Sequence, residues 1–443
     1  MNSLLDRTFH LSARGSTVGR EFRGAVATFL TMAYILFVNP QILSAADVPR
    51  DSAVACTALA AAICCFIMGL YANFPLATAP GMGLNAVVAF QIVPAVVAFG
   101  IAPRETAWHV AMGVIVLDGM VMLALVLAGL REAIMRAIPR DLRLATGAGI
   151  GLFIAFIGLV HAKLVVVGTP DEPPVVPGNL RDPATAVAAA GLLITAVLMA
   201  RRVTGAILIG IAATTVLAFF ARVTSWANAH AAVPSFAAAF HADVLHAARW
   251  QLLPLLFAVL MVDFFDTLGT ATAIAEQAGL VDDRGHVRGV GKVLVTDSFA
   301  ASIGGLLGAS SVTAYIESAA GVAEGARTGL HTVFVGLLFL LAIVAAPIAG
   351  IVPAAATAPA LILVGFLMIA QMAAIDFKNL ATAIPAFLIL LTIPLTYSIA
   401  HGIGYGFIAY VVIHLAGGKW REPHPLMYAV SAAFGAYFIF APG

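Results

Sequence analysis

The sequence predicts an all-α polytopic membrane protein whose fourteen spans form two inverted repeats of seven. The first reason is composition, since 62% of the 443 residues are hydrophobic and only 10% are charged. The mean hydropathy of +1.02 is too high for a soluble domain. The second reason is that the apolar runs divide into two equal sets, and the third is that each set contains one broken run at the corresponding position.

Fourteen apolar runs, each suited to the thickness of a hydrocarbon core, follow one another along the chain. In the first half they lie near 24–45, 53–71, 76–95, 107–129, 143–162, 184–200 and 203–221, which we number spans 1 to 7. In the second half they lie near 250–274, 289–307, 309–324, 330–352, 356–374, 380–397 and 401–416, which are spans 8 to 14. An odd number of crossings per half forces the two halves into opposite orientations. A last run, Leu426–Phe440, is compatible with spanning the membrane or with lying at its interface.

The distribution of lysine and arginine orients these spans, because cytoplasmic loops are enriched in both residues. With the N-terminus in the cytoplasm, seventeen of the 23 basic residues fall on the cytoplasmic side. The six on the opposite side are Arg50, Arg104, Lys163, Arg181, Arg222 and Arg249. The first run lacks a cleavage site and is interpreted as a span, with no removed signal peptide. We therefore expect a multi-pass protein of a bacterial-type cytoplasmic (inner) membrane with a cytoplasmic N-terminus.

Acidic side chains at membrane depth are the first candidates for function, since they are costly there. They are Asp118, Asp263, Asp266, Asp297 and Glu317, with Asn85 as an uncharged companion. No lysine or arginine lies deep enough in a span to pair with them. Such carboxyl groups must be protonated, hydrated or matched by the donors of a ligand. Asp297, near the expected cytoplasmic start of its helix, favours a structural role, and Asp118 is compatible with either role.

Span 8 carries a polar stripe on an otherwise apolar helix. Asp263, Asp266, Thr267 and Thr270 have the spacing of one helix face. This face must look toward protein or water. A bond to a neighbouring helix explains Asp266 as well as a functional role does, whereas the functional role is favoured for Asp263.

Spans 3 and 10 are the two broken runs. The first contains Pro80–Asn85 (PGMGLN) and the second Gly308–Glu317 (GASSVTAYIE), which is rich in hydroxyl and β-branched residues and favours an extended conformation. Irregular backbone at membrane depth is tolerated only where it lines a cavity or is buried in protein. Two extended segments that cross would satisfy one another, and each would lead into a half-helix whose first amides can meet a ligand. Paired breaks of this kind are typical of the binding site of a secondary transporter.

Four stretches of the chain carry a family resemblance: Thr31–Pro40 (TMAYILFVNP), Pro80–Ala86 (PGMGLNA), Val262–Thr267 (VDFFDT) and Ser311–Gly329 (SVTAYIESAAGVAEGARTG). Together they resemble the nucleobase-ascorbate transporter superfamily, and more narrowly its branch of hypoxanthine, adenine and guanine permeases. The resemblance implies a core domain of spans 1–4 (24–129) and 8–11 (250–352). It implies a gate domain of spans 5–7 (143–221) and of spans 12–14 with the last apolar run (356–443), through which such proteins often dimerise.

The resemblance also implies a substrate site between the breaks. The acidic residues of spans 8 and 10 correspond to Asp263 and Glu317, and the polar residue of span 3 to Asn85. Where uracil-type relatives have Glu and His on span 8, this chain has Asp263 and Thr267, which fits the purine branch and removes the obvious histidine proton carrier. Further expected contacts are the Tyr315 ring and the backbone amides near Leu84, Ile316 and Ser318.

The function implied is import of adenine, guanine and hypoxanthine by proton symport, with an elevator-like movement of the core past the gate. Asp263, Asp266 and Glu317 are the expected residues for proton coupling or site support. No cofactor and no metal are expected, since no two histidines within a span have metal-ligand spacing on one face. No basic run is long enough to suggest a nucleic-acid partner.

Several alternatives remain at this point. A carrier on the same fold for xanthine, a pyrimidine or an anion is one, and sodium coupling is another. Two acidic residues at the site argue against an anion. A membrane-embedded enzyme lacks a metal or nucleophile constellation in the sequence. A channel differs from a carrier in that it shows no saturable uptake against a gradient.

Overall fold

The computed structural model describes residues 4–129, 137–168, 171, 173–225, 234–281, 287, 289–344 and 350–440. Residues 345–349 of predicted span 11, and the basic residues Arg131, Arg136, Arg284 and Arg288, lie outside these ranges. Within the described ranges, a helix or half-helix corresponds to each of the fourteen predicted spans.

The helices of the first repeat are Val18–Met32 and Ile35–Ser44 (span 1), Arg50–Ile67 (span 2), Met82–Val87 and Val93–Ala98 (span 3), Ala107–Leu127 (span 4), Arg140–His161 (span 5), Pro183–Ala200 (span 6) and Ala206–Phe220 (span 7). Those of the second repeat are Leu253–Ala278 (span 8), Val290–Leu306 (span 9), Ser318–Ala323 (span 10), Gly329–Val344 (span 11), Ala354–Ile369 (span 12), Leu380–Thr396 (span 13) and Ile399–Ala416 (span 14). Additional helices are Leu4–Phe9, Val244–Ala247 and Pro425–Phe440.

Seven helical stretches in the described ranges are both long and apolar enough to cross a membrane. They are Val18–Ser44, Arg50–Ala72, Arg104–Leu127, Arg140–His161, Pro183–Ala200, Ala354–Ala374 and Ile399–Ala416. Shorter apolar helices stand at the other positions, among them Met82–Ala98 and Gly329–Val344. The last apolar run forms the helix Pro425–Phe440, which packs against spans 14 and 8.

Two pairs of short strands complete the described structure. Strand β1 (Thr78–Pro80) lies in the break of span 3, and strand β4 (Val312–Ala314) lies in the break of span 10. These two strands, 232 positions apart at Pro80 and Val312, pair in antiparallel fashion. Strands β2 (Val165–Val167) and β3 (Val175–Pro177) form an antiparallel hairpin in the loop between spans 5 and 6.

The packing of the helices repeats itself between the two halves. Span 4 lies along span 9, and their equivalents in the other half, spans 11 and 2, also lie along each other. In the same way, span 1 packs on span 11, and its equivalent, span 8, packs on span 4. Span 5 contacts its own equivalent, span 12. Each of these contacts therefore has a counterpart between the equivalent spans of the two halves, as an inverted repeat requires. Contacts concentrate within two sets, spans 1–4 with 8–11 and spans 5–7 with 12–14.

Glycine allows the closest helix crossing near span 10. A Cβ atom added to Gly24 of span 1 would lie 2.8 Å from the carbonyl oxygen of Gly321, in the half-helix of span 10. Small residues at such crossings let two backbones approach closely within a membrane. The half-helix of span 10 therefore rests directly on the backbone of span 1.

We predict that Gly24→Ala destabilises the protein, because its methyl group meets both the Gly321 backbone and the Ala326 side chain. Overpacking of this kind costs about 1–3 kcal/mol. Gly19→Ala, in the same helix but with open space around its Cβ position, is the matched control and should be neutral or slightly stabilising. Thermal unfolding of the two purified variants in detergent compares them, and equal midpoints would show that the crossing is not tight.

Candidate functional site

The crossing of β1 and β4 is the centre of the candidate site. Thr78 pairs with Ala314, Ala79 with Thr313, and Pro80 with Val312. The Tyr315 amide donates to the carbonyl oxygen of Ala77 at 2.9 Å, and the Gly81 amide donates to that of Ser311, also at 2.9 Å. All residues of both strands are buried. The extended segments thus satisfy each other's backbone at membrane depth, as the sequence indicated.

Specific residues make this crossing possible. A Cβ atom added to Gly81 would lie 2.6 Å from the Thr313 methyl group, so the β4 side chains approach the first break only because glycine is there. On the other side, Ser310 has a φ of 71°, in the left-handed region that turns the chain into β4. The chain just before it is fixed by Asn39 of span 1, whose Nδ2 donates to the Ala309 carbonyl oxygen at 3.1 Å.

Glu317 lies three residues after the end of β4 and is the N-cap residue of the half-helix of span 10. Its Oε1 accepts a hydrogen bond of 2.6 Å from the Tyr34 hydroxyl of span 1. The side chain is half-buried. A carboxylate has about four acceptor positions. The Tyr34 bond therefore leaves Glu317 with acceptor positions for further donors.

Asp263 lies behind β4 on span 8 and is fully buried. Its Oδ2 accepts a hydrogen bond of 3.3 Å from the Ser311 hydroxyl. One turn further along, the hydroxyl groups of Thr267 and Thr313 are 3.0 Å apart. Two residues of the polar stripe of span 8, Asp263 and Thr267, thus face the second break and contact protein there.

Asp266 lies on the same helix but is solvent-accessible, although protein atoms surround it. It is close enough to Glu317 to interact electrostatically and to Thr313 to form a hydrogen bond. This combination of accessibility and depth is expected of a side chain that lines a cavity.

Asn85 is the most unusual polar group of the site. It is fully buried in the half-helix of span 3, and neither Oδ1 nor Nδ2 has a hydrogen-bond partner among the described residues. Leaving a buried amide unsatisfied costs about 1–3 kcal/mol per group, so such groups are rare and call for a partner. An amide offers both donors and an acceptor. Asn85 is therefore suited to a ligand that presents both kinds of group.

Two of the predicted contact residues, Tyr315 and Ser318, already form hydrogen bonds within the protein. The Tyr315 hydroxyl donates to the Pro80 carbonyl oxygen at 2.6 Å and so ties the two breaks together. The Ser318 hydroxyl accepts from the Ala77 amide at 2.9 Å, and the Ser318 amide donates to the Tyr315 carbonyl oxygen at 3.1 Å. The amide expected to be available at Ser318 is thus already bonded. Leu84 is buried beside Asn85, and the Ile316 side chain is 49% exposed.

Sequence reasoning missed Tyr34, Ser311 and Thr313, which hold the acidic and hydroxyl groups of the site. Tyr34 is 283 positions from Glu317, so no local pattern joins the two residues. The sequence signal that could have identified Tyr34 is a tyrosine inside the apolar run of span 1.

The expectation that Asp297 lies near the start of its helix needs correction. Asp297 is the eighth residue of the helix Val290–Leu306 and is fully buried, so it does not interact with the free amides of the first turn.

The chain is similar to known permeases over nearly its whole length. The sequence profile described as "Permease family" matches residues 19–405. The guanine/hypoxanthine permease PbuG of Bacillus subtilis is 40% identical, with 98% of this chain and 99% of the relative aligned. The adenine permease AdeP of Escherichia coli is 38% identical, with 99% and 96% aligned.

Solved structures share the architecture at low sequence identity. The transmembrane domain of a cyanobacterium bicarbonate transporter, BicA, superposes with a TM-score of 0.64 at 18% identity, covering 89% of this chain and 97% of that one. The murine anion transporter Slc26a9 in its inward-facing state gives 0.65 at 11% identity, covering 90% and 68%. Both likenesses concern the seven-plus-seven inverted-repeat fold alone. Because the family and the sequence relatives are permeases, the chain is a transporter and not an enzyme, and it belongs to the nucleobase-ascorbate transporter family.

Proposed function

We propose that the protein imports purine nucleobases, namely guanine, hypoxanthine and adenine, across a cytoplasmic membrane by proton symport. The observation that carries this proposal is the orphan amide of Asn85 at one half-helix, together with the tethered carboxylate of Glu317 at the other. The names of the relatives PbuG and AdeP support the substrate class.

The chemistry of a purine edge matches these groups. A purine base presents N–H donors beside ring-nitrogen or carbonyl acceptors. A carboxylate accepts from N–H donors with bonds roughly twice as strong as neutral ones, and the Asn85 amide donates and accepts at once. Glu317 thus binds ring N–H groups, Asn85 binds an edge with mixed polarity, and Tyr315 and Leu84 border the ring.

The acidic groups of the site supply the coupling. Within the described residues, no ion pair involves Asp266 or Glu317. Carboxyl groups without a cation at membrane depth are typical of proton relays in transporters. A proton that enters with the base neutralises this acidic region during the crossing.

The movement is an elevator-like displacement of a core domain, spans 1–4 with 8–11, past a gate domain, spans 5–7 with 12–14. Gln91 of span 3 joins the two sets at the start of span 14. Gln91 Oε1 accepts from the Ala400 amide at 3.3 Å and from the Ser398 hydroxyl at 3.4 Å. Long bonds of this kind are easily exchanged as one set slides along the other. The gate domain is also the surface through which two copies would associate, with each N-terminus in the cytoplasm.

Competition for uptake of labelled guanine tests the substrate class in cells that lack other purine permeases. We expect unlabelled guanine, hypoxanthine and adenine to compete, and uracil and xanthine to fail. Uptake should saturate and should stop when the proton gradient is dissipated. Inhibition by bicarbonate but not by purines would favour an anion carrier, and accumulation that follows sodium would show that the coupling ion is wrong.

We predict that Glu317→Gln and Asp263→Asn each lower guanine uptake at least tenfold while the protein still reaches the membrane. The reason is the loss of charge-assisted hydrogen bonds worth about 1.5–3 kcal/mol each. Glu324→Gln, an exposed residue just past the same half-helix, is the matched control and should transport normally. Wild-type uptake by either site variant would reject the assignment of that residue.

Tyr34→Phe should weaken guanine binding five- to tenfold without unfolding the protein, because it removes only the hydroxyl that holds Glu317 Oε1. A single hydrogen bond to a charged group justifies a loss of about 1–1.5 kcal/mol. Equilibrium binding of labelled guanine to purified protein measures the effect. Tyr71→Phe, whose side chain is exposed, controls for loss of a hydroxyl. Unchanged affinity in Tyr34→Phe would mean that Glu317 needs no tether.

A further inference from the structure

A third carboxyl group lies behind the site, in a span that the proposed contacts leave out. Asp118 is the twelfth residue of the helix Ala107–Leu127 and is fully buried. Neither of its carboxyl oxygens has a hydrogen-bond donor among the described residues. An ionised carboxylate in such a place is not stable without a donor or a cation.

The neighbours of Asp118 are other acids. Its carboxyl group lies within hydrogen-bonding range of Asp263, and Asp297 of span 9 is close enough to interact with it. Beyond these, Cys64 of span 2 lies near Asp297, and Asp266 is close enough to interact with both Asp263 and Glu317. In the described part of the chain, no lysine, arginine or histidine acts on Asp118.

The packing of spans 4 and 9 fixes this position. A Cβ atom added to Gly119 would lie 2.6 Å from the Ser298 carbonyl oxygen, so the two backbones touch beside Asp118. The Ser302 hydroxyl also donates to the Val116 carbonyl oxygen at 3.2 Å. Asp118 thus lies where spans 4 and 9 touch, next to Asp263 of span 8.

Two carboxyl groups in contact can form a hydrogen bond only if one of them is protonated, because an ionised carboxylate has no donor. Carboxyl pairs that share a site therefore hold one proton between them and titrate as a unit. Here the two unsatisfied oxygens of Asp118 and their closeness to Asp263 both point to a proton as the missing ligand.

We propose that Asp118 and Asp263 form a carboxyl pair that binds the transported proton, one layer behind the purine. This inference rests on the proposed function for the direction of transport. An O–H bond forms on one carboxyl group with a proton from the outer water, and the same bond breaks toward the cytoplasmic water. The pair is linked to the substrate region through Ser311, which donates to Asp263 Oδ2 at 3.3 Å and precedes β4. Protonation of Asp263 therefore changes the contact that holds the second break.

The variant Asp118→Asn separates coupling from binding. Its amide can still donate a hydrogen bond to Asp263, but the pair no longer exchanges a proton through residue 118. We expect the purified full-length variant in proteoliposomes to catalyse counterflow of labelled guanine within about threefold of the wild-type rate. Proton influx during guanine uptake, reported by a trapped pH dye, should be lost, and an imposed pH gradient should no longer drive accumulation.

Asp51→Asn, an exposed carboxylate outside this region, is the matched control and should keep both activities. Proton influx and accumulation at wild-type levels in Asp118→Asn would overturn the proposal. Loss of counterflow together with accumulation, in a protein that still folds, would also overturn it, because Asp118 would then serve binding or packing.

Infrared spectroscopy covers the case in which Asp118→Asn does not fold. The wild-type protein should show the carbonyl band of a protonated carboxyl group at neutral pH, and this band should shift in Asp118→Glu. Absence of the band, or a band unaffected by the substitution, would overturn the proposal. If accumulation follows sodium in the wild type, the coupling part of the proposed function fails, whereas the infrared band still decides whether the pair holds a proton.

Discussion

The rest of the site depends on one constraint, which is that backbone polar groups at membrane depth must find partners inside the protein. Proline and glycine break span 3, and hydroxyl and β-branched residues break span 10, so both segments need an outside partner. The pairing of β1 with β4 satisfies both at once. Because the two strands come from opposite halves of the chain, this pairing also fixes the position of one repeat relative to the other. The half-helices that carry Asn85 and Glu317 then begin on either side of the same crossing.

Around this crossing, the two equivalent helices, spans 1 and 8, hold the second break from opposite sides. Span 1 supplies the Tyr34 hydroxyl to Glu317, and its Gly24 lets the half-helix of span 10 rest on its backbone. Span 8 supplies Asp263 to Ser311. The acidic residues differ in exposure: Asp266 is exposed and Glu317 is half-buried, while Asp263 and Asp118 are fully buried. In the function we propose, the base binds at the more accessible groups and the proton at the buried pair, and Ser311 links the two places through β4.

Local patterns in the sequence predicted most of the fold. Apolar runs gave the spans, Pro80 and Gly81 and the hydroxyl-rich segment gave the breaks, and the spacing of Asp263 and Thr267 gave the face that meets β4. Contacts between distant segments were beyond such patterns. The Tyr34 hydroxyl meets a carboxylate 283 positions away, and Asp118 finds Asp263 only because spans 4 and 8 pack together. The amide of Ser318 was expected to be free, but its bond to Tyr315 depends on the geometry of the turn after β4.

The central claim is that a purine base lies between the two half-helices, with its N–H groups on Glu317 and its mixed edge on Asn85. An experimental structure of the protein with bound guanine tests this most directly. The account predicts density for the base beside the β1–β4 crossing, with hydrogen bonds from the ring to the Glu317 carboxylate and to the Asn85 amide. A base bound elsewhere, or one that leaves both side chains without contact, would contradict it.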